Sequence, residues 1–227
     1  MTYTTLLFDI DNTLLNFKES ETIALKQLFE TLKVPYTKEV LDYYYDVNHQ
    51  LWEAHERGEI DQQTILDERF GVSLASFDLP YSGREMDQMF RTLIEENNIF
   101  MPGAMELLAA VKDDYRLGIV TNGITDTQYK RLDHANIRDW FGHIFISQEL
   151  GYAKPMIEFF EIVAKEMQPF NPAETIVLGD NIKADVYGAM NAGLTGCWYN
   201  PEGNANPTDI KPDFEIKNLL DFLDIIK

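Results

Sequence analysis

The sequence predicts an α/β fold in which a doubly wound parallel sheet carries helices on both faces and an all-helical segment follows the first strand. In residues 1–15 and 98–227, apolar runs typical of buried strands alternate with helical patterns. Residues 16–97 show helical periodicity and no confident strand. Strands that alternate with helices favour a parallel sheet covered on both faces. We therefore expect a core domain of residues 1–15 and 98–227 and a helical cap domain of residues 16–97.

The first predicted strand ends at two carboxylates, Asp9 and Asp11, and the hydroxyl of Thr13 follows. Strand side chains alternate between faces, so residues i and i+2 are expected on one side. Two such charges repel by about 4 kcal/mol at ~4 Å and an effective dielectric constant of ~20. A divalent cation would reverse the sign of this energy, and oxygen ligands suit Mg²⁺ better than zinc. The alternative is a surface turn in which Asp11 or Asn12 caps a neighbouring group.

Four helices are predicted in residues 16–97 from apolar residues at helical spacing. Pro35 is expected to end the first helix, and Asp61 is expected to cap the third. The apolar stripes are Leu25, Leu28, Phe29 and Leu32; Val40, Tyr44, Val47 and Leu51; Ile65, Leu66 and Phe70; and Met86, Met89, Phe90, Leu93 and Ile94.

The remaining chain predicts four further strands, at residues 117–120, 144–146, 175–178 and 195–199, separated by helices. Pro155 is expected to open one of these helices, and another is expected over residues 183–192. A loop rich in Pro, Gly and Asn covers residues 200–212, and a closing helix covers residues 219–226.

Polar groups stand directly after the predicted strands or on the loops that follow them. In parallel sheets, ligands bind outside the carboxyl ends of the strands. We therefore expect these groups to gather at one edge of the sheet: Asp9, Asp11, Thr121, Asn122, Gly123, Lys154, Asp180 and Asn181.

Together these groups predict a phosphoryl-transfer site. Asp9 is placed to attack phosphorus and form an aspartyl-phosphate. Asp11 is placed to protonate the departing alcohol and later to deprotonate water. Positioning and charge compensation are what such a transition state requires. The other assigned roles are phosphoryl-oxygen binding by Thr121 and the backbone N–H groups of Asn122 and Gly123, positive charge from Lys154, and metal binding by Asp180 with Asp9.

Four segments of the chain, in order, resemble the four motifs of the haloacid dehalogenase-like superfamily, whose Rossmann-like core carries a helical cap in this position. The resemblance implies that Asp9 is the nucleophile and Asp11 the general acid/base, with Asp11 also reaching Mg²⁺ through its backbone carbonyl. It implies that Asp180 is a direct metal ligand and that Asp185 orients a metal-bound water or Lys154. The segments are Phe8-Asp9-Ile10-Asp11-Asn12-Thr13-Leu14, Val120-Thr121-Asn122-Gly123, Lys154-Pro155, and Gly179-Asp180-Asn181-Ile182-Lys183-Ala184-Asp185.

Three further segments resemble the house-cleaning pyrimidine 5′-nucleotidases of this superfamily. The resemblance implies a Mg²⁺-dependent phosphomonoesterase acting on small nucleoside monophosphates such as UMP, dUMP and dTMP. A sugar-phosphate or phosphoglycolate-type phosphatase or a mutase, a haloacid dehalogenase and a non-catalytic binding protein on the same fold are the alternatives. The segments are Val47-Asn48-His49-Gln50-Leu51-Trp52, Thr121-Asn122-Gly123-Ile124-Thr125, and Asn191-Ala192-Gly193-Leu194-Thr195-Gly196-Cys197-Trp198-Tyr199-Asn200.

Composition narrows the expected partners and location. The formal net charge is −19, which disfavours binding to a nucleic-acid polymer because no basic face is available to displace counterions. The single cysteine, Cys197, excludes an internal disulfide. We see neither a signal peptide nor a membrane span, and we expect a cytoplasmic monomer or homodimer that acts on a small phosphorylated metabolite.

Overall fold

The computed structural model describes residues 3–227, apart from the side chain of Glu56. These residues form two compact units: one runs to Phe17 and continues over Ile99–Lys227, and the other is Lys18–Asn98. The helices are α1 (Phe17–Leu32), α2 (Lys38–Glu56), α3 (Gln62–Ser73), α4 (Gly83–Glu96), α5 (Ala104–Val111), α6 (Thr125–His134), α7 (Ser147–Leu150), α8 (Ile157–Glu166), α9 (Gly188–Asn191) and α10 (Phe222–Ile225). The strands are β1 (Thr5–Phe8), β2 (Arg116–Thr121), β3 (His143–Ile146), β4 (Thr175–Gly179), β5 (Thr195–Tyr199) and β6 (Phe214–Ile216).

The six strands form one parallel sheet in the order β3-β2-β1-β4-β5-β6. β1 lies in its interior, where Phe8 pairs with Ile119 of β2 and with Leu178 of β4. The chain proceeds outward from β1 to β3 and then returns to the other side of β1 at β4, so the strand order reverses there. Ligands of open α/β sheets bind at such a reversal, beyond the carboxyl ends of the strands.

Both faces of the sheet are buried, which explains why its inner strands are nearly continuous apolar runs. Leu6 and Phe8 contribute to a core cluster on one face, which includes residues of α5, α6 and α10. Leu7 contributes to the cluster on the other face, with Phe160 and Val163 of α8. The prediction of a doubly wound α/β sheet is therefore confirmed.

Three local features differ from the sequence prediction. The strand β6 was not predicted, because its three residues follow a Pro-rich loop and are too few to show a strand pattern. They are a strand because they pair with β5. The predicted helix at residues 183–192 is divided into a π-helix, Ile182–Tyr187, and the short α9. The helix expected to open at Pro155 begins two residues later, at Ile157.

The unit Lys18–Asn98 contains helices and a short 3-10 turn over Ala75–Phe77 in its described residues. Asp61 caps α3 as predicted, since its carboxylate accepts a hydrogen bond of 2.8 Å from the backbone N–H of Thr64. Ser82 and Glu85 form a reciprocal capping box at the start of α4. Across residues 3–227, no helix has both the length and the apolar character needed to cross a bilayer.

A buried ion cluster joins α3 to α4. The carboxylate of Asp87 is fully buried and accepts hydrogen bonds of 2.7 Å from the Nε atoms of Arg69 and Arg91. The guanidinium of Arg69 also lies 4.8 Å from the ring centroid of Phe90. The buried carboxylate of Asp87 is tolerated because two guanidinium groups face it.

We expect Asp87→Ala to lower the free energy of unfolding by about 3–5 kcal/mol, because the buried Arg69 loses the carboxylate that it faces. Asp42→Ala is the matched control, since Asp42 pairs with Lys38 on the exposed surface of α2 and such pairs contribute at most about 1 kcal/mol. Urea unfolding with hydrogen exchange over residues 18–98 measures both variants. Equal effects for the two variants would contradict the expectation.

Candidate active site

A tight loop after β1 positions the first carboxylate. The backbone N–H of Asp9 still donates to Leu178 of β4, at 3.0 Å, and the chain then turns. The carbonyl of Ile10 accepts from the N–H groups of Leu14 and Leu15, both at 2.9 Å. Asn12 adopts a left-handed backbone conformation with φ 58°, which asparagine tolerates better than most residues. The loop thus places Asp9 at the sheet edge beside β4.

Lys154 lies at the centre of the site. Its Nζ atom is buried and donates to Asp9 Oδ1 at 2.8 Å, Asp185 Oδ1 at 2.6 Å and the carbonyl of Val120 at 2.7 Å. Burial alone would lower the pKa of Lys154, but the charges of Asp185 and Asp9 outweigh it and raise the pKa. The two carboxylates therefore favour the charged form of the buried Lys154.

The segment after β4 supplies two more carboxylates: Asp180 directly follows the strand, and Asp185 lies in the π-helix. The Asn181 side chain caps it by accepting from the N–H groups of Lys183 and Ala184, both at 3.0 Å. In return, Asp185 Oδ2 accepts from the Asn181 N–H at 3.0 Å. A Cβ atom at Gly179 would overlap the Asp185 side chain, so a glycine is required there. This turn holds Asp185 against the end of β4.

Asp9, Asp180 and Asp185 form a carboxylate cluster in which one oxygen of each lies within 4.8 Å of the others. Burial raises the pKa of Asp9 from 3.8 to about 7; Lys154 opposes this effect and Asp185 reinforces it. Burial, together with the charges of Asp9 and Asp185, raises the pKa of Asp180 well above its usual range. Two buried carboxylates and the half-buried Asp180, beside one ammonium, form a site with excess negative charge. An oxygen-only donor set of this charge fits Mg²⁺.

The segment after β2 contributes polar groups beside this cluster. The buried Oγ1 of Thr121 accepts from the N–H of Gly123 at 3.2 Å and from Gln128 Nε2 at 2.8 Å. Because the oxygen of Thr121 is the acceptor in both contacts, its O–H group can donate to another group. The side-chain amide of Asn122 bonds both the N–H and the carbonyl of Lys154, each at 2.8 Å. Asn122 therefore fixes the backbone that carries the lysine.

The carboxylate of Asp11 has different partners from that of Asp9. Gln128 Nε2 donates to Asp11 Oδ2 at 3.0 Å, and Arg131 Nη1 donates to Asp11 Oδ1. Strand alternation does not explain this placement, because β1 ends at Phe8 and both aspartates belong to the loop. The two carboxylates remain close enough for Asp11 to contribute to the raised pKa of Asp9.

Sequence reasoning did not assign four residues that touch this site. Thr13 Oγ1 accepts from the N–H of Asp180 at 3.1 Å, and Trp198 Nε1 donates to the Asp180 carbonyl at 2.8 Å. Gln128 and Arg131 hold Asp11. The sequence gives only a weak indication of Gln128 and Arg131. They are a polar pair at positions i and i+3 of the helix that follows the second motif, a spacing that places both side chains on one face.

In the metal-free protein, we expect the free energy of unfolding to fall as the pH rises from about 4 to about 7. The pKa of Asp9 is about 7 in the folded state against 3.8 ordinarily, so the folded state binds more protons across that interval. The fall is at most roughly 4 kcal/mol, at about 1.36 kcal/mol per pKa unit. Urea unfolding in EDTA at pH 5 and pH 8 measures it, with Asp9→Asn as the comparison. If the free energy of unfolding depended on pH identically in both proteins, the raised pKa would not belong to Asp9.

Comparisons with known proteins agree with this geometry. A family model described as haloacid dehalogenase-like hydrolase matches residues 3–193. The HAD-hydrolase YfnB of Bacillus subtilis is 36% identical over 99% of this chain and 95% of that protein. A crystal structure of YfnB bound to magnesium matches with a TM-score of 0.91 and 35% identity, covering 100% of both chains.

Two nucleotidases are also similar over nearly their full lengths. The pyrimidine 5′-nucleotidase PynA of Streptococcus pneumoniae is 34% identical over 100% of this chain and 96% of that protein. The pyrimidine 5′-nucleotidase YjjG of Escherichia coli is 30% identical over 94% of this chain and 93% of that protein. Because the family model covers most of the sequence and these relatives align with it almost end to end, the chain belongs to the haloacid dehalogenase-like hydrolases.

Proposed function

We propose that this hydrolase is a Mg²⁺-dependent phosphomonoesterase that cleaves nucleoside 5′-monophosphates of the pyrimidine type through an aspartyl-phosphate. The observation that carries the proposal is the buried cluster in which Lys154 contacts Asp9 and Asp185, with Asp180 beside them. The names of PynA and YjjG support the choice of substrate. We further propose that residues 16–97 are the cap domain of this enzyme and that they select the substrate.

The proposed metal ligands are the carboxylates of Asp9 and Asp180 and the backbone carbonyl of Asp11, with Asp185 acting through a bound water or through Lys154. A bound Mg²⁺ would neutralise these carboxylates and the phosphoryl oxygens, so that an anionic ester can approach an anionic nucleophile. The excess negative charge of the cluster supports this assignment.

In the first half-reaction, an Oδ atom of Asp9 attacks phosphorus and a P–O bond to Asp9 forms. The bond to the ester oxygen breaks, its electron pair goes to that oxygen, and the carboxyl group of Asp11 supplies a proton to it. In the second half-reaction, Asp11 takes a proton from water, whose oxygen attacks the phosphoryl group. The bond between phosphorus and Asp9 breaks and returns its electron pair to the carboxylate. The products are an alcohol and inorganic phosphate.

The remaining residues bind the phosphoryl group. The O–H of Thr121 is available to donate because its oxygen already accepts two hydrogen bonds. The backbone N–H of Asn122 is the other proposed donor, and Lys154 adds positive charge. The N–H of Gly123, a donor predicted from the sequence, donates to Thr121 Oγ1 at 3.2 Å and so supports the phosphoryl-binding hydroxyl instead. Donors fixed before the reaction stabilise the transferring group without reorganisation.

A substrate panel tests the proposed function. We expect p-nitrophenyl phosphate to be hydrolysed with Mg²⁺ and not with EDTA, and UMP, dUMP and dTMP to exceed AMP, glucose 6-phosphate and phosphoglycolate in kcat/KM. A hundredfold preference for a sugar phosphate, roughly 2.7 kcal/mol in transition-state binding, would overturn the nucleotidase assignment. Release of halide from 2-chloropropionate without phosphatase activity would overturn the phosphomonoesterase assignment as well.

A further inference from the structure

The partners of Asp11 form a site of their own on α6. Gln128 and Arg131 lie three residues apart, so they share one face of the helix. Each donates to a different oxygen of Asp11: Gln128 to Oδ2 at 3.0 Å and Arg131 to Oδ1. The two contacts fix both the position and the rotation of the carboxyl group.

The burial of these two residues indicates a built site. Arg131 and Gln128 are each 1% exposed, whereas the Asp11 side chain is 30% exposed. The guanidinium of Arg131 lies 5.5 Å from the ring centroid of Phe17. A buried guanidinium is costly unless a carboxylate faces it. Asp11 supplies that carboxylate and its side chain remains partly exposed.

A second contact determines which way the Gln128 amide faces. Its Oε1 accepts from Arg131 Nη1 at 2.8 Å, so Nε2 is turned towards Asp11 and towards Thr121 Oγ1, 2.8 Å away. A Cβ atom at Gly123 would overlap the Gln128 side chain, so the loop after β2 leaves room for this amide. One glutamine thus links the group that handles the proton to a group that binds the phosphoryl oxygens.

We propose that Gln128 and Arg131 are positioning residues that hold the Asp11 carboxyl group in register with Thr121 for proton transfer to the leaving group. The inference rests on the proposed phosphatase function. Both contacts to Asp11 come from donors, so a protonated Asp11 can keep them and still give its own O–H proton to the ester oxygen. An aryl phosphate releases a weakly basic phenolate and needs this proton little, whereas the alkoxide leaving from UMP needs it.

The test compares Arg131→Met with Arg131→Lys on two esters, UMP and p-nitrophenyl phosphate. Since kcat/KM reports steps up to release of the alcohol or phenol, we expect Arg131→Met to lower it for UMP by about 30-fold or more, which is part of the roughly 10²–10⁴-fold that general acid catalysis contributes. For p-nitrophenyl phosphate we expect a change of less than about threefold, because that leaving group draws little on the acid. Arg131→Lys retains the charge and is expected to recover part of the UMP activity.

The controls separate positioning from folding. Arg138→Met removes an exposed arginine paired with Asp133 near the end of α6 and is expected to leave both rates unchanged. Gln128→Ala removes the other partner of Asp11 together with its contact to Thr121, so it is expected to lower the rate on both esters, and on UMP by the larger factor. In an Asp11→Asn background, Arg131→Met is expected to cause no further loss on UMP.

Two outcomes would overturn the inference, and they differ from failure of the proposed function. Equal losses on both esters in Gln128→Ala and Arg131→Met would show a structural role only. Unchanged UMP hydrolysis in both variants would show no role. If the unaltered protein hydrolyses neither ester, the proposed function fails and the inference fails with it.

Discussion

Asp9→Asn is expected to lower kcat/KM for UMP by at least about 10⁴-fold, roughly 5.5 kcal/mol of transition-state stabilisation. The amide can keep the position of the oxygen that accepts from Lys154 at 2.8 Å. It offers no carboxylate to attack phosphorus, so no aspartyl-phosphate forms. Initial rates with Mg²⁺ at pH 7.5 measure the loss, and intact-protein mass spectrometry excludes deamidation back to aspartate.

Asp224→Asn is the matched control, because Asp224 is 82% exposed and pairs with Lys227 at the chain end. We expect it to retain full activity. If Asp9→Asn kept more than a few per cent of the rate while remaining folded, the nucleophile would have to be another group, and the mechanism proposed above would be wrong. The same variant serves as the reference for the pH dependence of unfolding, so one protein preparation addresses both properties of Asp9.

The interior strands of the sheet could be predicted from the sequence because burial on both faces requires a continuous run of apolar residues. β1 and β4 are apolar runs that end at carboxylates, and both appear where the pattern places them. β6 has no such apolar run. The alternation of Phe214, Glu215 and Ile216 is too short to distinguish a strand from a loop. β6 becomes a strand only by pairing with β5.

The π-helix is a further feature that periodicity did not predict. Its first turn is widened, since the carbonyl of Asn181 accepts from the N–H of Val186, five residues on, at 3.4 Å, as well as from that of Asp185 at 3.0 Å. The turn also depends on Asp185, which packs against Gly179 and accepts a hydrogen bond from Lys154, 31 residues away in the sequence. A regular helix was the natural prediction from residues 183–192 alone.

The candidate site was predictable to the extent that its residues follow strands. Asp9, Lys154 and Asp185 meet because the segments that carry them follow parallel strands that end at the same edge of the sheet. Alternation of strands and helices in the sequence predicts a parallel sheet, and therefore this meeting. Gln128 and Arg131 lie within α6, where a buried polar pair gives the same pattern as an exposed one. Only the fold brings them against Asp11.

Lys154→Met is expected to affect stability and activity together. The ion pairs of Asp9 and Asp185 among residues 3–227 are both with Lys154. Without it the buried carboxylates repel one another, and we expect the metal-free protein to lose about 3–5 kcal/mol of unfolding free energy. We also expect kcat/KM to fall by at least about 10³-fold, because charge compensation is the larger part of phosphoryl transfer.

The direction of the pKa shift of Lys154 determines the pH at which the stability of Lys154→Met is measured. The pKa of Lys154 is raised above 10.5 in the folded state, so its contribution to stability is fully present below 10.5 and is lost as the pH rises through the folded pKa. Urea unfolding at pH 7.5 therefore registers the whole effect. Lys165→Met, at an exposed position on α8, is the matched control and is expected to change neither property.

Adding Mg²⁺ separates the two roles of this lysine. A cation that binds the folded state stabilises it by about 2.7 kcal/mol at a hundredfold excess over its Kd. We therefore expect Mg²⁺ to restore much of the stability of Lys154→Met, because it neutralises the same carboxylates, and to restore little of the rate, because the contact of Lys154 with Asp9 is still missing. Recovery of the rate along with the stability would show that Lys154 only balances charge, and its place among the phosphoryl-binding groups would have to be withdrawn.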